Sequence, residues 1–118
     1  MRFLKLISTV SLTLCAVGTT SALALQQNNA QEAALLAFAR DTATIAGGAR
    51  YCRMDPDDID SFMSKVEARI TMLSRDDYQK VLARLEFKNI LTAATAKEPK
   101  EGCNKMEQIF KDALNSDQ

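Results

Sequence analysis

Residues 50–60 read Arg50-Tyr51-Cys52-Arg53-Met54-Asp55-Pro56-Asp57-Asp58-Ile59-Asp60. Four carboxylates fall within six positions, just after a cysteine. Such a run is a metal loop, an acid cluster for catalysis, or the start of a helix. A calcium loop counted from Asp55 needs an oxygen ligand at its fifth position, a glycine at its sixth and a glutamate at its twelfth. Those places hold Ile59, Asp60 and Val66, so the loop reading fails three times. A helix start uses every residue. Asp55 caps, and Pro56 takes the first helical position, where its missing N–H costs nothing. Asp57 and Asp58 sit in the first turn, where the helix dipole favours negative charge. Met54 and Ile59 occupy the two positions of a hydrophobic staple. Ile59, Phe62, Met63, Val66, Ile70 and Leu73 then continue one apolar face at helical spacing.

The same grammar recurs at Leu73-Ser74-Arg75-Asp76-Asp77-Tyr78. There Ser74 is expected to cap, with Leu73 and Tyr78 as the staple. The two starts lie 19 residues apart, which leaves room for one helix and a very short turn. Upstream, Leu35, Phe38, Thr42, Ile45, Ala49 and Cys52 recur at steps of three and four, so a first helix is expected from Asn29 to Cys52. Asn29 and Glu32 read as its capping box, with alanines filling the remaining surface. Gly47 and Gly48 weaken its end and permit close approach of another backbone. The third helix is expected from about Arg75 to Ala96, broken by Lys97-Glu98-Pro99-Lys100. A fourth starts near Pro99 or Gly102 and runs toward Leu114, with Cys103, Met106, Ile109, Phe110, Ala113 and Leu114 on its apolar side. No strand-like alternation competes.

The N-terminus predicts export. Two positive charges in Met1–Lys5 precede an uncharged apolar run, Leu6–Gly18, and Ser21-Ala22-Leu23-Ala24 supplies small residues at the minus-three and minus-one positions. This is the pattern of a cleaved signal peptide spanning 1–24, with no stable membrane insertion expected afterwards because the run is shorter than the roughly 20 residues a spanning helix needs. Cys15 leaves with the leader. The mature domain, 25–118, has 94 residues, with 13 basic and 15 acidic side chains and a net charge of −2. That balance argues against nucleic acid as a partner. A chain of this length buries only about 60–65% of its unfolded surface. In a periplasmic or secreted setting its two cysteines, Cys52 and Cys103, are expected to form one structural disulfide. In an up-down-up-down bundle the end of helix one and the start of helix four share a pole, which is where these cysteines fall. The predicted fold is therefore all-α, a small up-down-up-down four-helix bundle closed by one disulfide.

Function is less legible. Without histidine neither a Ser-His-Asp nor a Cys-His site can form. The Asp pairs, expected at exposed helix starts, lack the apolar walls that raise a carboxyl pKa. No CxxC, CxxCH or phosphate-binding glycine loop occurs. Met54, Met63, Met72 and Met106 read as core fillers ahead of a copper(I) set. The chain is thus expected to be non-enzymatic and to need no cofactor or metal. Within helix three the apolar side changes: Tyr78, Val81, Leu82 and Leu85 share one face, while Phe87, Ile90, Leu91 and Ala94 lie roughly opposite. The change is read as a bend or as core packing on both sides of a central helix, or else as an apolar patch that meets a partner, a second copy or a small ligand. The candidate partner-binding set is Phe87, Ile90 and Leu91 with the bordering basic row Lys80, Arg84 and Lys88. An envelope or extracellular protein is the first partner expected, with a homodimer also open. A small apolar ligand between the helices is the second reading, and a carboxylate-dependent hydrolase using Asp57 or Asp76 the third.

Overall fold

In a computed structural model the described residues, 20–116, form four helices: α1 Thr20–Tyr51, α2 Pro56–Leu73, α3 Asp77–Thr95 and α4 Cys103–Asn115, with no strand among them. Side chains are described from residue 26 onward. Most of the expected leader, with Cys15, lies outside the described residues. No helix among them is long and apolar enough to cross a membrane.

The run that decides the fold is a helix start. The Asp55 carboxylate accepts from the backbone N–H groups of Asp57 (2.8 Å) and Asp58 (3.3 Å), and Pro56 opens α2. Met54 packs against the core cluster that includes Ile59. The chain just before it closes α1 with a Schellman turn: Arg53 N–H donates to Arg50 O (3.1 Å) and Met54 N–H to Ala49 O (3.0 Å). Arg53 takes the left-handed position, at φ 55°, where glycine is the usual occupant.

Two expected caps are corrected. Asn29 lies inside α1, which begins at Thr20. The preceding alanines, leucines and glutamines are strong helix formers with no breaker among them, so the helix propagates backwards through the cap. Ser74 closes α2 instead of opening α3: its Oγ donates to Ile70 O (2.6 Å). The N-cap of α3 is Asp76, whose carboxylate accepts from Gln79 N–H (2.8 Å), while Gln79 Oε1 accepts from Arg75 N–H (3.1 Å). This reciprocal pair is close to a capping box and accounts for the burial of Gln79. Tyr78 stays exposed rather than folding back as a staple.

Contacts between helices fix their directions. Asn28 meets Arg75, Arg40 meets Glu86 and Gly47 faces Ala94. The residue numbers differ by a constant 46 or 47, so α1 and α3 run parallel and in step. Arg50 with Met63 and Phe38 with Arg69 show α2 running antiparallel to α1, and Gly48 against Met106 together with Cys52 against Cys103 shows the same for α4. Successive helices therefore alternate in direction. Cys52 and Cys103 meet at one pole in a disulfide with a Cα–Cα distance of 5.5 Å and a sequence separation of 51.

The cross-section is not square. The most extensive pairing is α1 with α3, and it depends on small side chains. Ala39, Ala43, Ala46 and Ala49, expected on the free surface of α1 apart from Ala49, are fully buried. A Cβ at Gly47 would lie 2.4 Å from Ala94 Cβ and 3.0 Å from the backbone beyond it, so this glycine sets the spacing of the pair. Larger side chains fill the space toward α2 and α4: Ile59, Phe62, Val66 and Ile70 with Phe110, whose ring meets Phe62 edge-on at 5.6 Å.

Candidate functional site

The six residues singled out on helix three do not form one surface. Phe87 and Leu91 are each only 8% exposed, in the core cluster, and Ile90 packs against it half-buried. They follow Gln79 and Ala83 at steps of four, the buried row of α3. The basic row is largely engaged. Lys80 Nζ reaches Asp77 at 3.1 Å, and Arg84 Nε forms a close ion pair with Glu67 of α2 without the alignment of a hydrogen bond. Lys88 is exposed, with no ion pair among the described residues.

What faces outward is the other apolar row. Tyr78 is 68% exposed, Val81 54% and Leu85 53%, with Leu82 half-buried between them. At 3.6 residues per turn these four fall within an arc of about 100°, on the side of α3 away from its buried row. Met72 and Leu73, at the end of α2 just before the turn into α3, are also exposed. Of the six large hydrophobic side chains exposed on the described residues, only Tyr51 lies in neither stretch. The sequence already contained this row. What it could not tell was which of the two opposed rows α1 would cover. That choice follows from the alanine stripe of α1, which accepts the row carrying Ala83.

Two clefts offer alternatives. One of about 400 Å³ opens beside the 96–102 connection. Ile90, Ala93, Ala94, Gly48 and Met106 line its apolar part, and Lys97, Glu98, Lys100 and Glu101 its charged part, two of each sign. The other, of about 480 Å³, lies against the disulfide and is lined by Arg53, Asp55, Asp58, Asn104, Glu107 and Lys111 among others. There Lys111 holds the Glu107 carboxyl below its ordinary value, first by a hydrogen bond and then by its charge, and Glu107 raises Lys111 in return. Both groups are exposed to water, and the shift is that of a surface ion pair. Asp57 and Asp76 sit at exposed helix starts, Asp76 as a cap. Among the described residues no three histidine, cysteine, aspartate or glutamate side chains converge in a way that could hold a metal ion. The four methionines are in unlike settings, with Met72 exposed on α2 and Met106 buried beside Gly48.

Comparison with family models, with curated proteins and with solved structures gives no match. The fold and site together define a class, a disulfide-closed helical bundle with an apolar row left on the outside of one helix.

Proposed function

We propose that this chain is an exported, non-enzymatic helical module that works by protein–protein contact through the outer face of α3. One observation carries the reading: Tyr78, Val81 and Leu85 stand exposed in a row on a helix whose opposite row is already buried. A helix with apolar residues on two faces is normally covered on both, and contiguous exposed apolar surface with a polar rim marks interaction sites. Asp77, Arg84 and Lys88 supply that rim. Export is supported by the leader-like N-terminus and by the disulfide, which persists in oxidising compartments. The mature domain in this reading is 25–118, in the periplasm or outside the cell.

The test is a pair of substitutions, Val81→Asp and Leu85→Asp, in chain recovered from an exporting host. Both positions are exposed, so the melting temperature should hold within a few degrees while contact with the partner is lost. Unchanged binding of every partner in the double variant would sink the reading. A small apolar ligand in the cleft beside Ile90, Ala94 and Met106 is the second reading, favoured by the size and apolar floor of that cleft. Native mass spectrometry separates the two, since a bound lipid or metabolite would persist in the α3 variants.

A further inference from the structure

Resting on that reading, we infer that the partner at the outer face of α3 is a second copy of this chain, docked antiparallel across a two-fold axis. An isologous interface must be complementary to itself, and this face meets the condition in its apolar row and in its charges.

Consider the apolar row. Tyr78 and Leu85 are two turns apart, about 10 Å, and about 20° apart around the helix. An antiparallel copy centred between residues 81 and 82 sets each Tyr78 against the other chain's Leu85 and joins the two Val81–Leu82 segments at the centre. Now the charges. Asp77 and Lys88 flank this row at its two ends, again only about 20° apart around the helix and about 16 Å apart along it. Their midpoint lies between residues 82 and 83, one residue rise, about 1.5 Å, from that of the apolar row. In an antiparallel pair, residues on the same edge of the two helices face each other. The same docking that pairs Tyr78 with Leu85 therefore brings each Asp77 to the other copy's Lys88, twice over. Lys88 is exposed without an ion pair among the described residues, and the Asp77 carboxylate, though it reaches Lys80, is almost fully exposed.

The nearest adverse group is Arg84, close to the axis on the same edge, and Glu67 already neutralises it. A parallel two-fold would instead carry this edge to opposite sides of the seam in the two copies, and Asp77 and Lys88 would lose each other as partners. Beyond Leu85 the row becomes polar, with Asn89 and Thr92 exposed, so the seam ends where the self-complementarity ends. Size sets the strength. Three exposed apolar side chains, Tyr78, Val81 and Leu85, at roughly 100 Å² each, give well under the roughly 800 Å² per partner of a standard interface. The dimer is a weak one.

The test uses the disulfide-bonded chain recovered from an exporting host, its N-terminus read by mass, in sedimentation up to about 1 mM, a range suited to small interfaces. The expected result is a mass rising toward the dimer with concentration and remaining monomeric in Val81→Asp/Leu85→Asp. Asp77→Lys and Lys88→Asp should each weaken association by about five-fold, from two like-charge contacts. Mixing these two single variants should restore it, because the mixed pair, like the native one, has opposite charges at both contacts while each variant paired with itself has like charges. A monomer at every concentration, or a dimer indifferent to the α3 variants and to mixing, overturns the inference. A monomeric chain that retains a different exported protein, and loses it on Leu85→Asp, overturns the second copy and leaves the wider reading of this face standing. A monomeric chain with no contact sensitive to Leu85→Asp overturns both.

Discussion

Arg53 is the residue under most visible local constraint. It sits at φ 55°, a left-handed conformation that costs a side-chain-bearing residue roughly 1–2 kcal/mol. It is held there by the two Schellman hydrogen bonds that turn the chain from α1 into α2. Arg53→Gly is therefore expected to raise stability by about 1 kcal/mol, read as a later urea midpoint. The glycines of α1 give a second test at this scale. Gly47→Ala should improve helix propensity by about 1 kcal/mol yet destabilise the protein, because the new Cβ meets Ala94 and its backbone. Overpacking of this kind costs typically 1–3 kcal/mol. Gly48→Ala should be milder, since its neighbour is the end of the Met106 side chain at 2.7 Å, which can swing away. Equal thermal shifts for the two variants would contradict the packing described. The sequence suggested close approach at these glycines, but it could not say that the backbone of α3 meets one and a flexible thioether the other.

At the scale of the element, α3 gives the sharpest contrast. Phe87→Ala should cost about 3 kcal/mol, as for truncation of a buried aromatic. Leu85→Asp, two residues away on the free face, should change stability by about 0.5 kcal/mol or less. If chemical denaturation ranks them the other way, the buried and free faces of α3 have been exchanged. The caps make a second pair. Asp55→Ala and Asp76→Ala should each lose about 1 kcal/mol, whereas Asn29→Ala, inside α1, should lose nothing at a cap. The boundaries of α2 were legible because Asp55, Pro56 and the acids of the first turn all point the same way. The start of α3 was offset by two residues because Ser74, Asp76 and Asp77 all carry capping chemistry. The choice fell to the side chain with a reciprocal partner, Gln79. The Asp-x-x-Gln spacing was in the sequence and was the signal to use.

For the molecule as a whole, the disulfide joins the end of α1 to the start of α4 across a 51-residue separation. The chain-entropy relation assigns such a closure about 4 kcal/mol, a large share of the stability expected for a domain of this size. Cys52→Ser with Cys103→Ser should lower the urea midpoint accordingly, and reductant should do the same to the native chain. If both leave the unfolding curve unmoved, the bridge does not hold the fold. The effect should be strongest for α4, whose extensive backbone packing is with α1 alone.

By itself the sequence determined the number of helices, the turn at Asp55–Pro56, the partnership of Cys52 with Cys103 and the alternation of helix directions. These depend on local signals and on connections too short to allow much else. The tertiary structure decided which helices pair most closely and which side of α3 stays outside. Alanine and glycine carry little hydrophobic signal of their own, so a row such as Ala39, Ala43, Ala46 and Gly47 looks like surface until a second backbone is laid against it. Once α3 occupies that row, Phe87 and Leu91 turn inward, and nothing among the described residues covers Tyr78, Val81 and Leu85.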